Sequence, residues 1–428
     1  MYVEPICFRD SEIYNISDFS DIACELHEYP EICVIYEKVF QFKFTGVIII
    51  NDIPIIIFPK NYKLPQHSKD MLEQARILIR VFLRYKNEPI HESVENKFLF
   101  GDSKNSNARI TTAIRIMEDY KMYGYIHREL IVTSNKRKGR VDWKTTINKT
   151  IPVINHNSVV YGVPINRCSM IDSENIVYRL HRYVVSQCVK MWAWLFGIVL
   201  STEMEYEKLP CSISEAIFLL HSELRNVYVQ REINVMKMMI SYLIAQNGTD
   251  KKLNKEILGT QYFSFIWESI CGYLFNNKYS LLSDLIPQPE WESDIVSGKI
   301  SQRPDILVVD SRYLYILDAK YYNFKSKLPG WHDVVKQLFY RHTVILNLIK
   351  KKGIKPLQKD IKVKNVFLFP GDEEELLQYI GRVFVKEIDD LGEIKAFAIN
   401  QKKAMETYAF RNNDDYRKQL LVRLKETV

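Results

Sequence analysis

The largely apolar segment RPDILVVDSRYLYILDAKYYN, at residues 303–323, carries Asp305 near its start and Asp318 with Lys320 near its end. The runs ILVV and YLYIL are typical of two strands that are buried on both faces and joined by a short turn. Asp305 precedes the first strand, whereas Asp318 and Lys320 stand at the end of the second. If residues 311 and 312 form a two-residue turn, the register places Asp305 directly opposite Asp318. The sequence therefore predicts two facing carboxylates beside one ammonium group.

Facing carboxylates repel each other across a strand pair, and burial increases the cost. One explanation is that both aspartates lie at solvated strand ends, paired with Arg303 and Lys320. The other is that a divalent cation lies between them. The pattern of one acid followed, after a gap, by acid-x-lysine suits metal-dependent hydrolysis of phosphodiesters. In such a site the carboxylates hold a metal that polarises the phosphate and acidifies water. The lysine would position or deprotonate that water and neutralise developing charge.

Two predicted helices flank this segment. The first, QYFSFIWESICGYLF, places Glu268 among apolar residues, which suggests a further acid of the site, although an exposed helix edge would also tolerate it. The second, WHDVVKQLFYRHTVILNLI, carries Gln337 and Tyr340 on one face. The pair resembles the Q-x-x-x-Y element of RecB-like and McrC-like nucleases, with a spacing one residue shorter, or that motif is absent. The resemblance implies that Gln337 positions phosphate or base-proximal groups, and Tyr340 is interpreted as core packing or a DNA contact.

The order Glu268, Pro304-Asp305, Asp318-Ala319-Lys320 and Gln337 resembles the PD-(D/E)xK nuclease superfamily. Upstream, KGRVDWKTTINKTIP at residues 138–152 is similar to the stretch that precedes the nuclease domain in the LlaJI and McrC group of restriction endonucleases. The resemblance covers roughly residues 105–425 and is weak in the first hundred residues.

The resemblance implies a Mg²⁺-dependent deoxyribonuclease subunit of a restriction system that defends against foreign DNA, with Mn²⁺ as a substitute cofactor. It implies Asp305, Asp318 and Glu268 as metal ligands, with Lys320 and Gln337 completing the catalytic set. The implied partners are double-stranded DNA and a separate McrB-like AAA+ GTPase, because the chain has no GxxxxGK[ST] pattern of its own. A homodimer is left open. Two rival functions are a non-catalytic DNA-binding or scaffold subunit and a nuclease of repair or recombination.

Basic residues cluster at two places where DNA phosphates could bind. The first cluster is a loop in which Asp142 is the single acid, and it contains Lys136, Arg137, Lys138, Arg140 and Lys144. A solvated loop or a surface that docks the GTPase would explain it equally well. Lys325 and Lys327 follow the predicted hairpin closely and are better placed to touch the scissile strand.

Composition favours an ordinary globular protein. The 428 residues are 47% hydrophobic and 26% charged, with a net charge of +7, and have room for two or three domains. Seven scattered cysteines without a CxxC pair favour a reducing compartment. We find no signal peptide, and the most apolar run, MWAWLFGIVL, is too short to span a bilayer. These features predict a cytoplasmic protein without a membrane partner.

The predicted helices and strands that must position the site indicate an α+β multidomain protein. A hairpin is predicted from GVIII and IIIFP around residues 51–52, together with strands at 363–369 and 394–400. Periodicity predicts helices at residues 68–85, 108–123, 174–200, 212–246, 262–276, 331–349, 373–381 and 414–426. The helix at 108–123, followed by a strand, the basic turn and a strand at 141–147, has the order of a winged-helix-like module and of many other α+β domains.

We divide the chain into three regions. Residues 1–104 form a mixed N-terminal region for DNA recognition or partner docking, and residues 105–250 form a middle α+β region with the GRVDWK stretch. Residues 251–428 form a C-terminal α/β nuclease domain of the PD-(D/E)xK type.

Overall fold

The chain forms two compact units. The computed structural model describes residues 5–27, 29–50, 53–86, 88, 106–135, 139–156, 158–196, 207–247, 255–292, 298–299, 302–310, 312–350, 361–372, 374–411 and 414–427. One unit combines Met1–Asp102 with Asn254–Val428, and the other is Ser103–Leu253. The unit boundaries lie near those predicted at 104 and 250, but the first and third predicted regions share one unit. The division into three domains stays a prediction.

The N-terminal segment of the first unit is rich in short strands. Its elements are β1 (Ile6–Arg9), β2 (Ile13–Asn15), α1 (Ser20–Leu26), β3 (Cys33–Ile35), β4 (Val39–Phe42), β5 (Thr45–Ile50), β6 (Ile53–Phe58) and α2 (Ser68–Lys86). β5 and β6 pair antiparallel with Ile50 opposite Ile53, which confirms the predicted hairpin. The predicted helix at 68–85 is confirmed as α2.

Within the described residues, the second unit contains four longer helices, one short helix and two small sheets. Its elements are α3 (Ser106–Tyr123), β7 (Glu129–Ser134), β8 (Arg140–Val141), α4 (Trp143–Lys149), β9 (Val153–Asn155), β10 (Ser158–Val160), β11 (Asn166–Ile171), α5 (Ile176–Phe196), α6 (Ile213–Glu223) and α7 (Gln230–Asn247). The sheets have the orders β7-β11-β8 and β10-β9. The single helix predicted at 212–246 is wrong, because the chain turns between α6 and α7. The intervening NVYV contains β-branched and aromatic residues, which favour helix less than the flanking residues do.

The GRVDWK stretch has a local structural explanation. A Cβ atom at Gly139 would lie 2.3 Å from the carbonyl oxygen of Arg167, so this position needs glycine. Asp142 caps α4: its Oδ1 accepts from the Thr145 N–H at 3.1 Å, and its Oδ2 accepts from Arg167 Nε at 2.8 Å. The strand predicted at 141–147 is therefore wrong beyond Val141, because the aspartate cap starts a helix there. The winged-helix-like module stays a prediction.

The C-terminal segment supplies the rest of the first unit. Its elements are β12 (Lys255–Thr260), α8 (Phe263–Leu274), α9 (Tyr279–Leu282), β13 (Glu290–Trp291), β14 (Gly298–Lys299), β15 (Ile306–Asp310), β16 (Tyr313–Ala319), α10 (Trp331–Lys350), β17 (Lys362–Gly371), β18 (Leu377–Phe384), β19 (Glu393–Asn400), α11 (Gln401–Phe410) and α12 (Asp414–Thr427). β12 joins the N-terminal sheet, whose order is β1-β6-β5-β12. Among the helices in the described ranges, none is long and apolar enough to cross a membrane.

A five-stranded sheet of order β15-β16-β17-β19-β18 lies at the centre of this segment. β16, β17 and β19 run parallel, and the two edge strands pair antiparallel. Leu314 and Ile316 of β16 pack against Tyr340 and Val344 of α10 on one face. On the other face, Trp267 Nε1 of α8 donates to the Leu368 carbonyl oxygen of β17 at 3.3 Å. The sheet is therefore covered by helices on both faces, as the continuous apolar runs predict.

The sequence pattern misleads in one region of this sheet. Residues 373–381 were expected to be helical, but Leu377–Phe384 form the edge strand β18. The EEELLQYI pattern suits a helix locally, and pairing with β19 overrides that preference. The helix α11, which begins immediately after β19, has no counterpart in the sequence prediction.

Candidate active site

The hairpin brings the two aspartates together in the predicted register. Ile306 pairs with Leu317, and Asp310 pairs with Tyr313, so Asp305 and Asp318 occupy facing positions at the open end of the hairpin. The Oδ2 atom of Asp305 accepts a hydrogen bond from the Ala319 N–H at 2.9 Å. Asp318 is 2% exposed, whereas Asp305 is partly exposed. The predicted register is confirmed.

Lys320 lies between two carboxylates. Its Nζ atom is 2.7 Å from Asp318 Oδ2 and 2.8 Å from Asp333 Oδ1. Its backbone N–H donates to the Leu368 carbonyl oxygen at 2.8 Å, which extends the pairing with β17. Burial alone would lower the pKa of Lys320, but the charges of Asp318 and Asp333 outweigh it and raise that pKa above the ordinary value. A lysine held protonated in this way supplies positive charge and N–H donors, and it is a poor general base at neutral pH.

Asp305 has an unusually high affinity for its proton. Burial raises its pKa well above the ordinary value, and the nearby charges of Asp318 and Glu268 raise it further. The Ala319 N–H and Lys336 act in the opposite direction without compensating fully. Glu268 of α8 and Asp305 line one cleft of about 620 Å³. Asp318 and Glu268 therefore both act electrostatically on Asp305, although Glu268 is distant from it in sequence.

Two charged residues of α10 belong to this group and were missed by the sequence analysis. Asp333 shares the Lys320 ammonium group with Asp318, and its Oδ2 accepts from the Tyr322 hydroxyl at 3.2 Å. Lys336 is half-buried, and the charges of Asp318 and Asp305 help to raise its pKa. The two residues lie three apart, on the helix face that also carries Gln337 and Tyr340. Their position on this helix face was the feature of the sequence that could have identified Asp333 and Lys336 as members of the group.

Gln337 and Tyr340 are both buried beneath the hairpin. The Nε2 atom of Gln337 donates to the Ile316 carbonyl oxygen at 2.9 Å, and the residue is 1% exposed. The amide thereby fastens α10 to β16, and the predicted contact with a phosphate stays a prediction. The Tyr340 hydroxyl donates to the Arg303 carbonyl oxygen at 3.1 Å, and its ring belongs to the core. Core packing is confirmed for Tyr340.

The side chains of the site offer a limited set of donors for a divalent metal. Within the described ranges, no group of three or more His, Cys, Asp or Glu side chains is arranged closely enough to hold a metal ion. Asp318 is engaged by Lys320. However, the donors are carboxylate oxygens, which hard cations prefer, and the pKa of Asp305 is raised by burial and then by the charges of Asp318 and Glu268, both of which a bound cation would oppose. The assignment of Asp305, Asp318 and Glu268 as Mg²⁺ ligands stays a prediction.

The N-terminal segment supports the strand end that carries Lys320. The Lys60 N–H donates to the Tyr321 hydroxyl oxygen at 2.8 Å, and that hydroxyl donates to Asp10 Oδ2 at 3.1 Å. Asn61 Nδ2 donates to the Tyr322 carbonyl oxygen at 2.9 Å. The two residues after the lysine are thus fixed by side chains and backbone more than two hundred positions away in sequence.

The predicted DNA-binding residues fall into three groups. Lys136, Arg137 and Lys138 lie outside the described residues. Arg140 and Lys144 are exposed at β8 and α4 of the second unit. Lys325 and Lys327 are exposed in the segment after β16, where Lys325 Nζ lies 3.1 Å from Asp372 Oδ1 and Lys327 Nζ lies over the Tyr322 ring. Their contact with DNA stays a prediction.

Comparison with known proteins resolves the family. A model of the LlaJI restriction endonuclease family matches residues 44–402, which is most of the chain. The chain belongs to the LlaJI restriction endonuclease family. The resemblance inferred from the GRVDWK stretch and the hairpin is thereby confirmed at the family level, and family membership supports nuclease activity in general terms.

One curated protein and one solved structure match this LlaJI-family protein at different levels of similarity. The Type II restriction enzyme BsuMI component YdjA of Bacillus subtilis (strain 168) is 26% identical over 356 residues, which cover 77% of this chain and 72% of the relative. A solved half-complex of Thermococcus gammatolerans McrB AAA+ hexamers with bound McrC matches at 12% identity. That match covers 95% of this chain and 98% of the other, with a TM-score of 0.37, a level that does not establish a shared fold.

Proposed function

We propose that this LlaJI-family chain is the DNA-cleaving subunit of a restriction system and hydrolyses phosphodiester bonds with Mg²⁺, for which Mn²⁺ would substitute. The observation that carries the proposal is the group of Asp305, Asp318, Lys320 and Glu268. Two facing acids stand beside one ammonium group, and a third acid is close enough to raise the pKa of Asp305. In this proposal the group belongs to a C-terminal nuclease domain of the PD-(D/E)xK type, as the sequence resemblance implies.

The residues of the chain have separable roles in this proposal. Asp305, Asp318 and Glu268 would hold the metal, which supplies Lewis acidity to the phosphate and acidifies a bound water. Lys320, kept protonated by Asp318 and Asp333, contributes positive charge and N–H donors toward a phosphate oxygen. Its raised pKa favours this role over removal of a proton from water. Gln337 contributes by fixing α10 against β16.

The partners proposed for this subunit are double-stranded DNA and a separate McrB-like GTPase. The chain contains no GxxxxGK[ST] pattern, so any nucleotide-driven step requires another chain. Lys325 and Lys327 beside the hairpin, together with the basic loop around Arg140, would contact DNA phosphates. A cytoplasmic location and a homodimer are compatible with this assignment and stay predictions.

Cleavage of plasmid DNA by the purified protein tests the proposal. The reactions contain Mg²⁺ or Mn²⁺ at low salt, with and without a GTPase encoded beside the gene together with GTP. Asp318→Asn is the test variant. Asp310→Asn is the matched control, since Asp310 lies at the turn end of the same hairpin and pairs with Lys425.

The outcomes separate the rival functions. Nicking or linearisation that is lost in Asp318→Asn and in EDTA, but kept in Asp310→Asn, supports a metal-dependent nuclease. Absence of cleavage under every condition, including the GTPase arm, supports a non-catalytic scaffold. Equal cleavage by wild type and Asp318→Asn contradicts the assignment of the site. A nuclease of repair or recombination would cut in the absence of a restriction-locus partner and prefer nicked, branched or broken DNA over intact plasmid.

A further inference from the structure

The cleft that contains Glu268 and Asp305 is also lined by three arginines. Arg84 comes from the last turn of α2, Arg303 from the segment before β15, and Arg417 from α12. None of the three was singled out as a binding residue from the sequence. Their convergence depends on tertiary structure, because they are separated by more than one hundred residues of chain on either side of Arg303.

Tyr273 provides a platform for two of these guanidinium groups. The Cζ atom of Arg84 lies 4.0 Å from the centroid of the Tyr273 ring, and that of Arg417 lies 4.5 Å from the same centroid. Arg84 also lies 3.9 Å from the centroid of the Tyr408 ring. Stacking on aromatic rings restricts the guanidinium planes and limits their hydration. Two cations are therefore held in fixed orientations around one tyrosine.

Neighbouring carboxylates do not use all the N–H donors of these arginines. Glu88 Oε1 lies 3.4 Å from Arg84 Nε and accepts from the Tyr408 hydroxyl at 2.7 Å. Asp414, which is 75% exposed, lies 3.1 Å from Arg417 Nη1. Arg84 Nη1 donates to the Tyr408 carbonyl oxygen, whereas the Nε atom of Arg417 is buried without a hydrogen-bond partner among the described residues. Buried N–H groups of this kind are costly unless an acceptor reaches them.

Arg303 completes the group from the side of the hairpin. Its carbonyl oxygen is fixed by the Tyr340 hydroxyl at 3.1 Å, and its exposed guanidinium lies 5.1 Å from the centroid of the Tyr279 ring. Among the described residues, no carboxylate forms an ion pair with it. Three arginines oppose Glu88, Glu268 and Asp305, so the cleft lacks the net negative charge that would repel a polyanion.

We propose that Arg84, Arg303 and Arg417 form a subsite for a backbone phosphate of the DNA strand that enters the cleft beside Glu268 and Asp305. The proposal rests on the proposed nuclease function. The ligand class is a phosphodiester, because planar guanidinium forks match phosphate oxygens, and a contact to phosphate carries no information about base sequence. The subsite also gives the N-terminal region a role within the nuclease unit, since α2 contributes Arg84.

Equilibrium binding to duplex DNA as a function of salt tests the subsite. A fluorescein-labelled duplex of arbitrary sequence is titrated with protein that carries Asp318→Asn, so that no cutting occurs. Arg303→Gln and Arg417→Gln are compared in that background, alone and together. Arg423→Gln is the matched control, because Arg423 lies on the same helix as Arg417 and pairs with Glu426 at 3.4 Å on an exposed surface. Arg303 is exposed, so its replacement leaves the fold intact.

Each of the two substitutions is expected to weaken binding by about tenfold and to make the slope of log K against log salt shallower by about 1. The control should match the parent in both quantities. If both arginine variants retain the affinity and slope of the parent, the subsite is wrong even though the parent binds DNA and wild type cuts it. If the parent does not bind DNA at all and wild type does not cut, the nuclease proposal itself fails, and the subsite fails with it.

Discussion

Replacement of Asp305 by asparagine is expected to make the protein more stable and inactive. The asparagine keeps the volume of the side chain and an oxygen that accepts from the Ala319 N–H, but it removes a charge that the folded state disfavours. The ordinary result of changing a half-buried polar residue is a loss of stability. A gain in stability would therefore identify Asp305 as a residue kept for function at a cost to the fold.

The expected magnitude follows from the register. Carboxylates on facing residues of an antiparallel pair lie about 5–6 Å apart, and two like charges at that distance repel by about 3 kcal/mol at an effective dielectric constant of about 20. The ammonium groups of Lys320 and Lys336 offset part of this repulsion. We expect Asp305→Asn to raise the free energy of unfolding by about 1–2 kcal/mol, or the Tm by about 2–6 °C.

The pH dependence gives the sign of the effect. The folded-state pKa of Asp305 is raised, so the folded state binds its proton more tightly than the unfolded chain does. The stability that this proton contributes is fully present below the unfolded-state pKa and is lost as pH rises through the folded-state pKa. The advantage of Asp305→Asn should therefore be small at pH 4 and largest at pH 8.

Thermal unfolding followed by circular dichroism in EDTA, at pH 4 and pH 8, measures this difference. Asp415→Asn is the control, because Asp415 pairs only loosely, at 3.8 Å, with Lys418 on an exposed helix face. Addition of Mg²⁺ should raise the Tm of wild type more than that of Asp305→Asn. A lower Tm for Asp305→Asn at pH 8, or the same change at both pH values, would refute the reasoning.

Three further substitutions test the supports of the site. Asp333→Asn should leave Lys320 with one carboxylate and slow plasmid cleavage about 10- to 100-fold in a single-turnover assay. An unchanged cleavage rate would contradict a positioning role for Asp333. Gln337→Leu removes the side-chain donor to the Ile316 carbonyl oxygen and should lower the free energy of unfolding in urea by about 1–3 kcal/mol. Loss of cleavage at unchanged stability would instead indicate that Gln337 contacts DNA directly. Tyr321→Phe removes the hydroxyl that joins the hairpin to the N-terminal segment and should destabilise the protein by about 1–2 kcal/mol, and a variant as stable as wild type would show that this joint is unimportant.

The hairpin was predictable because its information is local. Two apolar runs separated by a two-residue turn have one register, because the length of the turn fixes which residues face each other. The facing positions of Asp305 and Asp318 follow directly. The helices α2, α8 and α10 were predictable for a similar reason, since their apolar residues repeat with the helical period over many turns.

Tertiary structure decided what local pattern could not. Residues 377–384 have a helix-like sequence but become a strand because β19 offers a partner edge. The N-terminal segment and the hairpin share a unit through the pairing of β12 with β5 and through the hydrogen bonds of Tyr321. Such contacts join residues more than two hundred positions apart, and no periodicity within a short window reports them.

The residues of the site also divide into those that the sequence predicted and those that only the tertiary structure brought together. By itself, the sequence predicted Asp305, Asp318, Glu268 and Lys320 as members of the site, because these residues interrupt apolar patterns. Only the folded chain decided that Asp333 shares the Lys320 ammonium group, that Gln337 turns into the core, and that three arginines converge on the same cleft. The physical reason is that side-chain charge interactions act through space over a few ångströms, whereas sequence patterns report only neighbours along the chain.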